Sequence, residues 1–260
     1  MSDVHAAAQR GFDAEAARYA SGRPDYPAGL LDWLRDELGL TEGREAVDLG
    51  AGTGKFTALL ARTGAGLSAV EPVDKMREQL AQRLPAVRAL EGTAQAMPLA
   101  DAAVDAVVCA QAFHWFASED ALAEIHRVLR PQGRLGLVWN VRDESVDWLA
   151  RVTAIMTPHE GDAPRFYKGD WRRPFEGAAA AAWFTPLQCR VLRHEHVGPP
   201  EAVILDRFLS VSFIAALDAS RKAGVAAQLQ ALIKEHPDLR GRDIVAVPYR
   251  TEAYWCERRV

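Results

Sequence analysis

The chain has 260 residues, of which 49% are hydrophobic and 25% are charged, which is typical of a globular protein that buries a core without disulfides or structural metal. The net charge of −4, with basic residues scattered along the chain, excludes a general nucleic-acid binder. Three widely spaced cysteines form neither a disulfide framework nor a zinc-ligand pattern.

The chain begins with a polar, alanine-rich segment that is predicted to fold over another part of the protein. We assign residues 1–27 to this N-terminal lid, with a helix within residues 1–22. Pro27 suits the start of the next helix, whose leucines recur at helical spacing until Gly39 ends it. Beyond this helix, short apolar segments alternate with helical ones. The predicted strands are residues 46–50, 67–71, 87–92, 104–112 and 134–141, and the helices between them are residues 55–63, 74–84 and 118–129.

Such alternation predicts βαβ units, in which a mostly parallel sheet is covered by helices on both faces. The predicted fold class is a doubly wound, Rossmann-like α/β fold. The alternation ends after residue 143, and residues 144–186 are interpreted as an insertion that caps the substrate side. The remaining predicted elements are strands at 187–197, 244–247 and 254–258 and one or two helices within 200–236. We treat residues 1–260 as a single domain, with 28–143 as the cofactor-binding core and 187–260 as the C-terminal part of that core.

The sharpest functional signal is the sequence VDLGAGTG at residues 47–54, a strand that leads directly into a glycine-rich turn before a helix. Glycine allows the tight turn and lets the backbone approach a ligand, which then meets free N–H groups at the helix start. Glu71 ends the next predicted strand, 21 residues after Gly50. A carboxylate at that place can accept hydrogen bonds from both hydroxyls of a ribose. Together, the loop and Glu71 indicate an adenosine-containing cofactor at the carboxyl ends of the strands.

The spacing of the glycines distinguishes between such cofactors. The dinucleotide fingerprint is G-x-G-x-x-G, whereas here the third glycine is Gly54 and the dinucleotide position holds Lys55. A phosphate-binding G-K-[ST] ending is absent as well, because Phe56 follows Lys55. The spacing disfavours a nicotinamide-dependent oxidoreductase, which stays open as an alternative, as does a glycine turn without a ligand.

Three ordered segments resemble class I S-adenosylmethionine-dependent methyltransferases: residues 47–54, VEPVDKM at 70–76 and EGTAQAMPLADAAVDAVVCAQAFHWF at 91–116. Within that family, the chain is most similar to a bacterial and fungal group of small-molecule enzymes that includes trans-aconitate methyltransferase-like proteins. The resemblance covers about residues 12–141 well and the remainder loosely. It implies the class I methyltransferase fold and the use of S-adenosylmethionine, with S-adenosylhomocysteine as the product.

The resemblance also implies roles for individual residues. Glu71 would hold the ribose hydroxyls. Residues at the methionine and ribose end of the cofactor would be Asp48, Gly50, Ala51 and Gly52, with Ala110 and Gln111 against the methionine part. Residues beside the adenine would be Pro72, Met76, Thr93, Ala94 and Gln95. The family often has a carboxylate where this chain has Thr93 or Gln95, so an amide or a backbone group would have to contact the adenine amino group here.

His114 is the candidate catalytic residue, because it follows the fourth strand at the edge where an open sheet presents residues to its substrate. A histidine can accept a proton from a hydroxyl or amine acceptor during methyl transfer. The alternative is a histidine that only hydrogen-bonds locally and shapes the pocket, because a carboxylate acceptor needs no base. The neighbouring aromatic residues are interpreted as pocket wall.

Two further groups of residues have a functional and an ordinary interpretation. Tyr19 and Arg23 lie in the segment that tends to close over the cofactor in the resembling family, and the Arg23 guanidinium suits a carboxylate. The alternative is a surface arginine and a packing tyrosine. His194 and His196 suggest a metal site, but alternation along a strand puts them on one face with Glu195 opposite. We therefore expect a solvated strand face and no bound metal.

The expected cellular location and binding partners of the protein are inferred from sequence features that it lacks. Residues 1–20 contain no apolar stretch of a signal peptide, and no apolar run approaches the ~20 residues that cross a bilayer. We expect a cytoplasmic monomer or homodimer that acts on a small molecule without a membrane or nucleic-acid partner. The predicted reaction is direct in-line methyl transfer to an oxygen or carboxylate. A non-catalytic module that binds S-adenosylmethionine stays open as a second alternative.

Overall fold

The computed structural model describes residues 24–162 and 164–259. Tyr19, Arg23 and most of the predicted N-terminal lid lie outside the described residues. The strands, in chain order, are β1 (Glu45–Leu49), β2 (Gly66–Val70), β3 (Arg88–Leu90), β4 (Val104–Ala110), β5 (Leu129–Arg142), β6 (Gln188–Gly198) and β7 (Val245–Glu257).

These seven strands form one sheet in the order β3-β2-β1-β4-β5-β7-β6. β1 to β5 run parallel to one another, whereas β7 runs antiparallel to both of its neighbours, β5 and β6. The order reverses between β1 and β4, and open α/β sheets bind their ligands at such a switch point. The predicted doubly wound, mostly parallel Rossmann-like fold is confirmed.

Helices connect the parallel strands and also form the region between β5 and β7. The α-helices are α1 (Gly29–Asp36), α2 (Lys55–Ala61), α3 (Asp74–Arg83), α4 (Glu119–Val128), α5 (Asp147–Met156), α6 (Ala178–Trp183), α7 (Arg207–Leu209), α8 (Ser212–Ala215) and α9 (Ala219–Glu235). Short 3₁₀ helices are Phe113–Trp115, Thr157–His159, Phe166–Lys168 and Asp170–Glu176, and Glu201–Asp206 is π-helical.

The predicted core elements have their observed counterparts within a few residues, but the C-terminal part differs. The prediction of one or two helices within 200–236 is wrong, because a π-helical turn and three α-helices occupy that range. The two short strand predictions near the C-terminus belong to the single strand β7. The sequence obscures this continuity because Pro248 interrupts the pattern. Pro248 lies just beyond the last pair between β5 and β7, Arg142 with Tyr249, so its missing N–H costs no hydrogen bond to β5.

The predicted insertion, residues 144–186, is divided between two hydrophobic clusters. Its first helix, α5, packs with α9 and with residues 203–214 in a cluster that also includes the start of β7. Its aromatic second half, which contains Trp171 and Phe184, packs on the main core with β4, α4 and β5. No helix of the described residues is long and apolar enough to cross a membrane.

Candidate functional site

The glycine-rich loop follows β1 and holds its glycines in the left-handed region, with φ of 73° at Gly50 and 57° at Gly52. A Cβ atom on Gly50 would lie 2.7 Å from the Cβ atom of Ala112, so close packing requires glycine there. A Cβ atom on Gly52 would meet no described atom nearer than Met76 Sδ, at 4.0 Å. Gly52 therefore borders open space in which a ligand can approach the backbone.

The N–H groups of this loop are occupied within the protein. Gly50 and Ala51 donate to the carbonyl oxygen of Val70 over 2.9 and 3.3 Å, and Gly52 donates to Glu71 Oε2 over 2.8 Å. These three N–H groups are occupied because β2 pairs with β1 and brings its last residues, including Glu71, directly under the loop. The free N–H groups expected at the start of α2 stay a prediction.

Glu71 follows β2 and is buried, with 5% of its surface exposed. Its Oε1 atom accepts a hydrogen bond of 3.0 Å from Val73 N, and its Oε2 atom accepts the one from Gly52. Burial raises the pKa of this carboxyl group, while the two N–H donors and the charge of Arg77 oppose the rise. A carboxylate oxygen has two lone pairs, so each oxygen keeps acceptor capacity for a ligand hydroxyl.

Asp48 lies on β1 beneath the loop and is buried, with 1% of its surface exposed. Thr57 Oγ1 donates to Asp48 Oδ2 over 2.6 Å, whereas Oδ1 is buried with no hydrogen-bond partner among the described residues. Burial raises the pKa of Asp48 to about 7, Thr57 opposes the rise, and the Glu71 charge adds to it. Two buried carboxylates beside an open glycine fit a ligand rich in hydroxyl or ammonium donors, and S-adenosylmethionine carries both.

The residues assigned to the adenine lie on two loops beside this loop. Met76 is buried in the first turn of α3, and Pro72, just before that helix, is half-buried. Thr93 pairs with Ala96 in a tight turn, with Ala94 buried and Gln95 half-buried. Met76 therefore lies next to the open space at Gly52, on the side of the loop where α3 begins.

Sequence reasoning missed the two residues of α4 that hold this turn in place. Glu124 Oε1 accepts a hydrogen bond of 2.6 Å from Met97 N, and Arg127 donates to Glu124 and to the carbonyl oxygens of Met97 and Leu99. In the sequence, these two residues show only as a charge pair at i, i+3 on a helix. Such pairs are common on solvated surfaces, so the pattern does not indicate a functional site.

The end of β4 leads into a cavity. Ala110 is half-buried, and Gln111 has φ of 59°, while its N–H donates to Val138 O over 2.8 Å. Gln111 and His114 both line a cavity of about 190 Å³. The Trp139 indole donates from Nε1 to His114 Nδ1 over 3.1 Å. Gln111 is therefore both a residue assigned to the methionine end of the cofactor and part of the cavity wall.

The rest of the cavity wall comes partly from the predicted substrate cap and partly from segments that sequence reasoning did not assign to the site. Asn140 and Arg142 are at the end of β5, Arg165 precedes a short helix of the predicted insertion, and Arg207 begins α7. The end of β5 can be recognised as a ligand-facing edge in an open α/β sheet. Arg207 lies 96 residues after Gln111 in a helical region without a motif, so the sequence gives no such signal for it.

The described chain begins beside this site. Asn140 Nδ2 donates to the carbonyl oxygen of Asp25 over 3.3 Å, and Lys55 Nζ lies 3.0 Å from Asp25 Oδ1. Tyr26 packs edge-on against Phe56 with ring centroids 4.9 Å apart. These contacts join residues 25–26 to β5 and to the first turn of α2. The roles of Tyr19 and Arg23, which precede this segment, stay predictions.

His194 and His196 share one face of β6, with Glu195 on the opposite, exposed face, as the alternation predicted. The expected solvated surface is wrong, because both residues are half-buried and their Nε2 atoms are buried without a hydrogen-bond partner among the described residues. Burial lowers the pKa of both imidazoles. The described residues contain no group of three His, Cys, Asp or Glu side chains placed to hold a metal ion.

Comparisons of the sequence with known proteins agree with this geometry. The sequence profile of the family described as "Methyltransferase domain" matches residues 47–137. An uncharacterized methyltransferase-like protein of Schizosaccharomyces pombe is 37% identical over 252 residues, which cover 95% of each chain. An uncharacterized methyltransferase of Mycobacterium tuberculosis is 36% identical over 240 residues, or 92% of each chain. The malonyl-[acyl-carrier protein] O-methyltransferase of Methylococcus capsulatus is 38% identical over 135 residues, 50% of this chain and 47% of that one.

Solved structures share the fold at low sequence identity. A type II methyltransferase candidate from Anaeromyxobacter dehalogenans aligns with a TM-score of 0.62 at 24% identity, covering 91% of this chain and 96% of that one. The [4+2]-cyclase SpnF aligns with a TM-score of 0.53 at 18% identity, covering 92% and 85%. At these identities the likeness establishes the architecture alone, and one architecture can support different reactions.

Proposed function

The chain belongs to the class I S-adenosylmethionine-dependent methyltransferases, and on this basis we propose that it transfers a methyl group to an oxygen, preferably a carboxylate, of a small molecule. The relative from Methylococcus capsulatus, whose name describes methyl transfer to an oxygen, supports this choice of atom. That likeness covers half of this chain. The identity of the acceptor therefore has to come from the cavity itself.

The observation that carries the proposal is the position of Gln111. It follows β4 at the switch point of the sheet, lines the cavity, and matches the family segment beside the methionine part of the cofactor. A molecule in the cavity would thus lie next to the methionine end of a cofactor bound over Gly52 and Glu71. A cavity of about 190 Å³ suits a small acceptor rather than a polymer.

S-adenosylmethionine, when bound, supplies a methyl group that is already activated by the positive sulfur. The protein's own contribution is position and the exclusion of water. Asp48 and Glu71 offer buried acceptors to the ammonium and hydroxyl donors of the cofactor. Gln111, His114 and Asn140 offer polar groups to the acceptor in the cavity. Trp139 fixes the ring of His114 through Nδ1 and so limits its orientation.

Two other functions have less support. A nicotinamide oxidoreductase needs glycine at position 55, where this chain has Lys55 in the first turn of α2. A module that binds S-adenosylmethionine without turnover is compatible with the fold, because one architecture can support different functions. The cavity beside Gln111 favours turnover, since a binding module has no need of an acceptor site.

The experiment is a screen of purified protein against a library of small carboxylic acids, alcohols and amines, with release of S-adenosylhomocysteine as the readout. The variant Gly52→Val, which is expected not to bind the cofactor, is the negative control for the release of S-adenosylhomocysteine. The expected result is turnover with carboxylic acids, giving a product that mild alkali hydrolyses back to the acid, as a methyl ester requires. A product that keeps its methyl group in alkali would overturn the carboxylate assignment. Binding of S-adenosylmethionine without turnover on any acceptor would favour the non-catalytic module.

A further inference from the structure

Three arginines line the cavity, and each comes from a different part of the chain. Arg142 ends β5, Arg165 directly precedes the short helix Phe166–Lys168, and Arg207 directly follows the π-helical turn Glu201–Asp206. π-helical turns are rare in proteins, and those that do occur are often found at functional sites. The convergence of three guanidinium groups from distant segments is a product of the tertiary fold, and local helix chemistry does not account for it.

Arg207 is buried without a compensating charge among the described residues. The residue is 8% exposed, and its Nε and Nη1 atoms are buried with no hydrogen-bond partner among the described residues. Arg207 takes part in no ion pair with the described residues. Other arginines of the C-terminal part, such as Arg190 and Arg221, each form one. A buried charge without a partner is costly, so we expect this guanidinium to be paired when the protein holds its ligand.

One aromatic ring, that of Phe208, contacts two of the guanidinium groups. The guanidinium carbon of Arg142 lies 5.6 Å from the ring centroid, and that of Arg207 lies 5.4 Å from it. Arg142 Nε is also buried without a hydrogen-bond partner among the described residues. Burial lowers the pKa of Arg142, and the nearby positive charge of Arg207 lowers it further. Stacking on a ring leaves the in-plane N–H groups of an arginine available for a planar carboxylate or a phosphate.

The two carboxylates of the cavity lie beside Arg142 and Arg165, and neither lies beside Arg207. Glu144 Oε1 accepts a hydrogen bond of 2.8 Å from Thr153 and lies 3.6 Å from Arg142 Nη2. Glu160 is buried, accepts a short hydrogen bond from the Tyr167 hydroxyl, and lies 3.0 Å from Lys168 Nζ. Neither carboxylate forms an ion pair with Arg207. Among the described residues, therefore, no negative charge pairs with Arg207, and a molecule in the cavity can supply it.

We propose that Arg142 and Arg207 form an anion subsite that binds a carboxylate or phosphate group of the methyl acceptor. This inference rests on the proposed function only in assigning the anion to the acceptor. The bound group is held and is not methylated, because an oxygen whose charge is shared by two guanidinium groups is a weakened nucleophile. The acceptor accordingly has at least two functional groups, one that accepts the methyl group and one anion that fixes its orientation.

The test measures anion binding directly, without turnover. Succinate and inorganic phosphate are titrated in separate arms into the wild-type protein, Arg207→Gln and Arg142→Gln by calorimetry, with Arg193→Gln, an exposed arginine on β6, as the matched control. At least one anion is expected to bind the wild type, and each cavity variant is expected to weaken it by about tenfold or more. Arg193→Gln should leave it unchanged. The arm that shows binding identifies the anion as a carboxylate or a phosphate.

Stability and cofactor binding give independent readouts. Arg207→Met should raise the melting temperature of the protein without added anion, because it removes an uncompensated buried charge. Equal anion affinity in Arg207→Gln and wild type, or no anion binding by the wild type, overturns the subsite. Binding of S-adenosylhomocysteine with no anion binding refutes the subsite alone. Anion binding without S-adenosylhomocysteine binding refutes the proposed function alone.

Discussion

Trp139 Nε1 donates a hydrogen bond to His114 Nδ1 across 3.1 Å, which fixes the chemistry available to the histidine. An indole nitrogen is a donor only, so Nδ1 must be the acceptor and the neutral imidazole carries its proton on Nε2. The single lone pair with which a neutral histidine could act as a base is then already used. His114 is thereby arranged to donate from Nε2, which suits the orientation of an anionic or carbonyl oxygen better than proton abstraction.

His114→Asn should consequently retain most of kcat while KM for the acceptor rises, because an amide can still donate a hydrogen bond. His114→Ala should raise KM further and leave the affinity for S-adenosylhomocysteine unchanged. Steady-state kinetics and calorimetry measure these quantities. A general base would behave differently: kcat of His114→Ala would fall by roughly 10²–10⁴-fold, and the wild-type rate would rise with pH near ~6.5. Such a result would require that the bond from Trp139 breaks during the reaction.

Gly52→Val should abolish binding of S-adenosylmethionine and S-adenosylhomocysteine, because its side chain would fill the open space above the loop. Valine at a left-handed position also strains the backbone, so Gly39→Val serves as the matched control. Gly39 has φ of 66° and open space around its Cβ position, but it lies at the end of α1, away from the site. Calorimetry should show loss of binding in the first variant only. Equal affinity in both variants would contradict the location of the cofactor site.

Glu71→Ala should weaken cofactor binding by about 1–3 kcal/mol, the cost of lost hydrogen bonds to a charged acceptor. Part of this loss comes from the loop, because Gly52 N and Val73 N lose their acceptor as well. Glu71→Gln, which keeps one acceptor oxygen, should lose less than Glu71→Ala. NAD should bind neither variant nor the wild type. Tight NAD binding by the wild type with no response to S-adenosylhomocysteine would favour the oxidoreductase instead.

The cofactor half of the protein could be predicted from sequence because its signals are local. A strand, a glycine turn and an acidic residue at the end of the next strand are contiguous patterns, and parallel strands bring their ends together without further information. The occupied N–H groups of the loop could not be foreseen, because they depend on how closely β2 lies to Gly50 and Ala51.

The part of the site that faces the acceptor could be predicted from sequence only in part, because its signals are not local. The packing of α5 against residues 203–214 brings together three arginines that are distant in sequence, and no short motif indicates that contact: Arg142, Arg165 and Arg207. The position of Arg142 at the end of β5 and of Arg165 in the predicted cap associates them with the substrate side, whereas nothing in the sequence distinguishes Arg207 from a surface residue. The same holds for His194 and His196, whose alternation was predictable but whose half-buried environment was not.

Methyl transfer should not depend on a metal ion. His194 and His196 lie on one face of β6, with no third ligand placed to complete a site among the described residues. Full activity is therefore expected after exhaustive dialysis against a chelator, and His194→Gln together with His196→Gln should leave the metal content unchanged. Activity that disappears on chelation and returns with magnesium or zinc would falsify this prediction.

The raised pKa of Asp48 predicts how the unfolding free energy depends on pH. The folded-state pKa is about 7, against 3.8 for an unperturbed aspartate, and burial is its main cause. Between these values the folded protein holds a proton that the unfolded chain releases, so rising pH favours unfolding. The contribution of Asp48 to stability is therefore fully present below about pH 4 and is lost as the pH rises through about 7. Glu71, whose pKa is also raised, acts in the same direction.

Asp48→Asn isolates this contribution, because an amide keeps the shape of the side chain and can still accept the hydrogen bond from Thr57. Urea unfolding at several values between about pH 5 and 8 should show the wild type losing stability relative to Asp48→Asn by up to a few kcal/mol as the pH rises. Glu71 is present in both proteins, so only its coupling to the charge of Asp48 remains in this difference. Asp243→Asn, which removes an exposed carboxylate, should run parallel to the wild type. A constant difference between wild type and Asp48→Asn across the whole range would mean that Asp48 keeps an ordinary pKa despite its burial.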